Sequence, residues 1–366
     1  MTKTPRTTTS RSSRTEVNKM KVTKEMGVKL PSTTITRYDP VALDVLKAPF
    51  SIHGFHEPFR RVPQDIADNT NEVVERLCKV GAGGRVRFRT NSDFVAIHAK
   101  FGYYEFIHQL PYTSFDMNFY DGENFTFGGL FFPSEDARAE GYYESRLMCS
   151  GEMKDVIINF PMIAEIKEMY VILREGCEIC EASPYKYETP VVFYGSSIVQ
   201  GIGASRPGMN YPAIVSRLLN TEIRNIGFGG GAHAEPAIID YVKGLPMSVF
   251  VYDYDHNAPN HEELARTHYD GYKRFREARP DVPVIFASRP DFYPYVEQSY
   301  LRREVVKATY ERALKEGDKL VSFIDGETFY PDELRHEMTA DNCHPNDAGY
   351  IEMARKFSEE IKKYIQ

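Results

Sequence analysis

From Pro190 onward, short continuous apolar runs alternate with segments of helical periodicity, and this alternation constrains the fold more than any other feature of the chain. The runs are Val191–Tyr194, Ile223–Ile226, Val249–Tyr252, Val284–Ala287 and Val321–Ile324. A strand covered on both faces shows no polar alternation, because neither side meets water. Between and after the runs, residues 212–219, 237–242, 262–279, 300–315 and 346–365 carry apolar residues at i, i+3, i+4 spacing, the stripe of a helix packed on one side. Asn210 is placed to open the first helix and Asn346 to cap the last. Strand and helix in regular alternation predict an α/β fold around a parallel sheet.

Residues from about 40 to 185 follow a different pattern. Gly84–Thr90 alternates polar and apolar, and after the turn at Asn91-Ser-Asp93 a second strand runs from Phe94 to His98. Val156–Phe160 and Ile166–Leu173 are further strands, with turn signals at Tyr120-Asp-Gly122, Gly128-Gly129 and Pro161. Asp65–Val80 is the one helical stretch. Several short strands separated by turns predict a β-sandwich or jelly roll.

At 366 residues the chain is long enough for two cores. Hydrophobic content of 42% and charged content of 27% are those of a globular protein. A net charge of −7 offers no attraction to nucleic acid or anionic lipid, and no apolar run approaches the roughly 18 residues of a membrane span. Residues 1–30 are rich in Thr, Ser, Lys and Arg and nearly devoid of apolar side chains, so they read as a disordered leader. The basic stretch before Glu16 weakly resembles an organelle transit peptide. An unstructured leader, or a true start at Met20, is preferred. The five cysteines, Cys78, Cys149, Cys177, Cys180 and Cys343, are odd in number and scattered, which does not describe a disulfide framework and favours the cytoplasm. Cys177 and Cys180 form a single CxxC with no second pair to complete a zinc site, so no metal and no other cofactor is expected.

In open parallel sheets, ligands bind beyond the carboxyl ends of the strands. The segments in those positions are Gly195-Ser-Ser-Ile-Val-Gln-Gly201, Asn225-Ile-Gly-Phe-Gly-Gly-Gly231, Asp253-Tyr-Asp-His-Asn-Ala-Pro259 and Ser288-Arg-Pro-Asp291, with Asp341-Asn-Cys-His344-Pro before the last helix. Taken singly each is weak: glycines permit turns, and an Asp-x-x-His pair at a helix start is commonly a cap. Together, a serine, a glycine, an asparagine and an Asp-x-x-His pair arrive in order, each at a strand end. This set resembles the SGNH (GDSL-type) hydrolase superfamily. Ser197 falls at that family's nucleophile, with Ser196 where an Asp is usual, and Gly230 and Asn257 match the glycine and asparagine blocks. Asp341 and His344 match the last block. The third block reads Tyr-Asp-His-Asn in place of Gly-x-Asn-Asp. Ala204-Ser-Arg-Pro-Gly-Met-Asn-Tyr-Pro-Ala-Ile214 and Ala82-Gly-Gly-Arg-Val-Arg-Phe-Arg-Thr90 resemble a bacterial subgroup of two-domain esterases whose N-terminal β domain carries a Gly-x-Asp-Leu-Tyr motif, here loosened to Ser114-Phe-Asp-Met-Asn118.

The resemblance implies a flavodoxin-like three-layer hydrolase domain over 186–366, preceded by a β-sandwich accessory domain over 31–185. It implies a serine esterase removing a small acyl group, acetyl in preference, from an acylated carbohydrate. Ser197 would be the nucleophile, His344 its base and Asp341 the group that orients the base. The backbone N–H groups of Ser197 and Gly230 and the amide of Asn257 would form the oxyanion hole. The chain has no Trp to stack on a sugar but 24 Tyr and 23 Phe. Tyr254, His256, Arg289, Phe292 and Tyr293 fall near the expected rim, where each is read more readily as a structural or rim residue than as a ligand; Tyr254, His256 and Arg289 are the candidate substrate contacts. No long apolar lid is evident, which favours a short acyl chain. The expected partner is a small-molecule or oligosaccharide ester, with self-association into a homo-oligomer left open. Two rival readings stand beside this one. A metal-dependent hydrolase would use Asp253, Asp255, His256, Asp341 and His344, and a non-catalytic carbohydrate-binding protein would use the β domain.

Overall fold

The computed structural model describes residues 19–104, 113–132, 141–290 and 296–365. Phe292 and Tyr293 and the first 18 residues of the leader lie outside these. The expected leader boundary at residue 30 is too late. β1 (Met20–Lys21) pairs with a strand formed by Glu178–Cys180, and Val22 is fully buried. A few apolar residues among polar ones suffice when a sheet edge is present to receive them.

The N-terminal half continues with β2 (Pro40–Asp44), β3 (Ser51–His53), α1 (Gln64–Asp68), α2 (Glu72–Leu77), β4 (Arg85–Thr90), β5 (Phe94–Tyr104), β6 (Asp116–Tyr120), β7 (Phe125–Leu130), β8 (Tyr142–Met148), β9 (Lys154–Asn159), β10 (Ala164–Arg174) and β11 (Glu178–Cys180). One antiparallel sheet runs β1-β11-β4-β9-β6-β7 with β3 also on β4, and a second runs β2-β10-β5-β8. Their inner faces meet over Val86, Phe88, Val95, Ile97, Phe115, Met117, Val156, Ile158 and Val171, a sandwich as expected. The outward residues of β4 are not solvated, however. Arg85 and Arg87 are 4% and 2% exposed, because the second half of the chain covers them. Arg85 donates to Tyr185 Oη at 2.9 Å and to Glu222 Oε1 at 2.8 Å, while the Arg87 guanidinium lies 3.9 Å from the Tyr185 ring centroid.

The helical stretch expected over Asp65–Val80 is two short helices, divided where Asn71 caps α2 by accepting from the N–H groups of Val73 and Val74. Although flanked by sandwich strands in sequence, it packs elsewhere. Val62, Ala67, Val74, Leu77, Cys78 and Val80 join the core on one face of the parallel sheet.

That sheet comprises β12 (Tyr187–Gly195), β13 (Thr221–Gly227), β14 (Val249–Asp253), β15 (Val284–Ala287) and β16 (Val321–Ile324), which contain all five apolar runs. All pairings are parallel, in the order β13-β12-β14-β15-β16. Counted along the sheet this is 2-1-3-4-5, the flavodoxin-like arrangement, with its switch point between β12 and β14. The helices are α3 (Ser197–Gln200), α4 (Tyr211–Leu219), α5 (Pro236–Lys243), α6 (His261–Ala278), α7 (Val296–Lys315) and α8 (Asp347–Ile361). Alternate strand residues serve opposite layers. Val192, Tyr194, Phe250 and Tyr252 face α5, α6, α7 and the α1–α2 pair, whereas Val191, Phe193, Val249 and Val251 face α3, α4 and α8. The expected caps form: Asn210 accepts from Ala213 N–H, and Asn346 from Ala348 and Gly349 N–H. Among the described residues, no helix is long and apolar enough to cross a membrane.

Candidate active site

Four segments converge at the switch point. β12 ends at Gly195, and the chain turns at once into the single turn of α3, which the sequence reading did not anticipate. Ser196 caps it, its hydroxyl accepting from Ile198 N–H at 3.2 Å. Ser197 is therefore the first helical residue, and its N–H has no partner within the helix. The Ser197 side chain is 2.9 Å from His344 Nε2, and His344 Nδ1 is 2.8 Å from Asp341 Oδ2. The carboxylate accepts the Nδ1 proton, which leaves Nε2 as acceptor for the Ser197 hydroxyl. Asp341 Oδ1 also accepts from the backbone N–H of His344 at 2.7 Å and of Cys343 at 3.1 Å. One turn thus places both groups. Partial burial tends to raise the Asp341 pKa, but the His344 backbone and ring hydrogen bonds outweigh it and hold the carboxyl below its usual range.

The glycine segment after β13 wraps over Ser197. A side chain on Gly229 would meet Ser197 Cβ at 3.1 Å and Gln200 Oε1 at 3.2 Å. Gly230 has φ +73° and open space around it, so left-handed backbone rather than crowding accounts for glycine there. Its N–H donates to Asn257 Oδ1 at 3.1 Å, and Asn257 Nδ2 donates to the Phe228 carbonyl at 2.7 Å. Serine, glycine and asparagine are together, with the Gly230 N–H engaged by the Asn257 amide in this conformation. An oxyanion role for Gly230 requires that contact to open.

The structure corrects the expected rim. Tyr254 is fully buried: it belongs to the core beneath the sheet, stacks on His268 and shares a hydrogen bond with Thr267 Oγ1 at 2.8 Å. Arg289 is 7% exposed, and its backbone N–H donates to Asp255 Oδ2 at 3.0 Å. Tyr254 thus points back into the layer, whereas Arg289, though buried, is a charged neighbour of His256. His256 does lie beside the site, with its ring centroid 6.5 Å from that of His344. The five-residue metal cluster of the rival reading is not assembled. Asp253 is buried, accepts from Tyr211 Oη at 2.8 Å, and is held well above the usual carboxylate range by burial and the nearby Asp255. Asp255 is likewise buried and raised.

Other residues that shape the site escaped the sequence reading. Buried Gln200 accepts from Gly229 N–H at 2.8 Å and donates to the Met162 carbonyl at 3.2 Å. His233 Nε2 donates to the Asn257 carbonyl at 3.1 Å. Arg61, fully buried, donates to the carbonyls of Gly227 at 2.5 Å and Leu77 at 2.6 Å, with its guanidinium 4.5 Å from the Phe228 ring centroid. Arg61 lies 166 residues from the turn it holds, so no local pattern announces it. Gln200 stands in the serine block and was the only one of the three with a local signal.

Residues 188–362 match the model of the GDSL-like lipase/acylhydrolase family, and residues 43–179 match that of the Gly-x-Asp-Leu-Tyr N-terminus of SGNH-hydrolase-type esterases. No curated protein matches the chain in sequence. Among solved structures, the chain resembles a protein from Bacteroides ovatus described as a GDSL-like lipase, at 24% identity over 90% of this chain and 99% of that one, with a TM-score of 0.80. It resembles a salicylyl-acyltransferase from a tetracycline biosynthetic pathway at 20% identity over 90% and 98%, TM-score 0.71. It also resembles a family two carbohydrate esterase from Clostridium thermocellum, solved with cellohexaose, at 17% identity over 78% and 93%, TM-score 0.56. Motif order, switch-point geometry and the two adjoining family matches agree, and the chain belongs to the SGNH (GDSL-like) hydrolases as a carboxylic ester hydrolase with a Gly-x-Asp-Leu-Tyr-type N-terminal domain.

Proposed function

We propose that the chain removes a small acyl group, acetyl in preference, from an acylated carbohydrate through an acyl-enzyme on Ser197. The hydrogen-bonded series Ser197–His344–Asp341 carries this reading. His344 takes the serine proton as the hydroxyl attacks the ester carbonyl, and Asp341 holds the ring and stabilises the imidazolium. The Ser197 N–H, at the positive end of α3, and the second proton of Asn257 Nδ2 are donors for the oxyanion. Gly230 N–H joins them when Asn257 Oδ1 releases it. His344 then returns the proton to the leaving alcohol, and water repeats the cycle. A carbohydrate alcohol is favoured by the likeness to an esterase solved with cellohexaose, and acetyl by the lack of an apolar lid in the sequence. The scattered cysteines keep the cytoplasm as the proposed compartment.

The test is a panel of acetyl, butyryl and octanoyl p-nitrophenyl esters, with acetate release from acetylated oligosaccharides measured in parallel and Ser197→Ala as control. The acetyl ester is expected to turn over fastest. A preference for octanoyl would overturn the acyl assignment, and absence of acetate release would overturn the carbohydrate assignment.

A further inference from the structure

The turn that supplies Asp341 and His344 also carries a thiol that the hydrolytic mechanism does not use. Cys343 Sγ is 2.9 Å from His256 Nε2. Asp341, Cys343 and His344 each offer one donor atom, and the three atoms lie within 4.8 Å of one another. His256 adds a fourth donor from the loop after β14. Its Nε2 is held by the thiol alone, and its Nδ1 is buried without a partner. A thiolate, two imidazoles and a carboxylate form the donor set that tetrahedral Zn²⁺ prefers, whereas Mg²⁺ and Ca²⁺ require oxygen ligands.

The electrostatics allow such a site. Burial first, then the neighbouring Arg289, pushes the His256 imidazole well below its usual range. Arg289 and Arg302 oppose a dication there, while the Asp341 carboxylate and a Cys343 thiolate favour one. The ligands come from two loops that the fold already holds together, so binding needs only local side-chain rotation.

We propose that Asp341, Cys343, His344 and His256 form an inhibitory site for a thiophilic divalent cation, Zn²⁺ foremost. Binding exchanges the Cys343 thiol proton for a Zn–S bond and releases that proton to solvent. It also occupies the His344 ring, which then no longer accepts the Ser197 proton. The inhibitory consequence rests on the proposed role of His344 as base, whereas the binding itself does not.

Two measurements on the full chain separate these points. Stoichiometric Co²⁺ should give a thiolate-to-cobalt absorption band with one ion per chain, absent from Cys343→Ser, and Zn²⁺ should abolish it. Zn²⁺ should inhibit p-nitrophenyl acetate hydrolysis reversibly on addition of EDTA. Cys343→Ser should keep the metal-free rate and require at least about tenfold more Zn²⁺ for the same inhibition. Absence of the cobalt band, or equal inhibition of Cys343→Ser and the natural chain, would overturn the site. A cobalt band in a chain that hydrolyses no ester would leave the site standing and overturn the catalytic reading instead.

Discussion

The β-sandwich and the parallel sheet both bury polar side chains, but to different ends. In the sandwich, Glu144 is enclosed and fully engaged. It accepts from Thr33 Oγ1 at 2.6 Å, from Thr34 N–H at 2.7 Å and from Thr34 Oγ1 at 2.6 Å, and lies 3.0 Å from His98 Nδ1. Such a network stabilises one arrangement and leaves nothing for a ligand. In the parallel sheet, polar groups collect at the carboxyl ends of β12, β13 and β14, where the backbone leaves the ladder and side chains point out of the layer. The candidate active site belongs to the second kind of burial. The sandwich still acts on the site through the seam. Asp116, the aspartate of the loosened motif, accepts from Arg206 Nη1 at 2.7 Å and Gly208 N–H at 2.8 Å. Arg61, on the segment that leads from the sandwich into α1, holds the carbonyl at the end of β13.

The comparison is broken most sharply at Ser197. Under the proposed mechanism, Ser197→Ala should lower turnover on the order of 10⁶-fold while the thermal midpoint stays within about two degrees. Full activity in that variant would put the chemistry elsewhere. Asn257→Ala should cost roughly 10²–10³-fold in kcat with KM little changed. An effect confined to KM would assign the amide to ground-state binding.

Glu144→Gln tests the other kind of burial. Burial works to raise the Glu144 pKa, but hydrogen bonds from His98, Thr33 and Thr34 bring it down to about 2. A folded pKa below the unfolded value means that this stability is present above about pH 4.5 and is lost as pH falls toward about 2. Urea unfolding of Glu144→Gln at neutral pH should show a loss of up to about 3 kcal/mol and a flatter acid limb, with the folded enzyme's kcat unchanged. A fall in kcat would show that the sandwich reaches the site in a way that the seam contacts do not explain. Arg61→Met joins the two kinds of burial. It strands two carbonyls but removes a costly buried charge, whose pKa desolvation lowers to about 9. A modest change in stability is therefore expected, with kcat lowered about tenfold as the glycine turn shifts. An unchanged kcat would make Arg61 a brace and nothing more.

Much of the catalytic half could be read directly. An apolar run such as Val249–Tyr252 has few structural uses besides a doubly covered strand, and Asp341 and His344 are close enough in sequence for one turn to join them. The rim stayed open for a physical reason: Tyr254 follows a strand, and nothing local distinguishes a tyrosine whose ring stacks on His268 from one facing solvent. The α1–α2 segment was misassigned for a related reason. A helical period reveals which face is apolar but not which sheet receives it, and here the receiving sheet begins more than a hundred residues later in the chain.

By itself, then, the sequence determined the α/β alternation, the sandwich before it, the caps at Asn210 and Asn346, and the order of serine, glycine and asparagine at the ends of β12, β13 and β14, with aspartate and histidine just before the last helix. These follow from short-range periodicity and from residue types with few alternative uses. Only the tertiary structure decided that the Gly230 N–H is held by Asn257, that Arg61 grips the end of β13, and that Cys343 meets His256 across 87 residues. Those are contacts between loops brought together by strand order, and strand order arises from packing two faces of a sheet at once rather than from any local pattern.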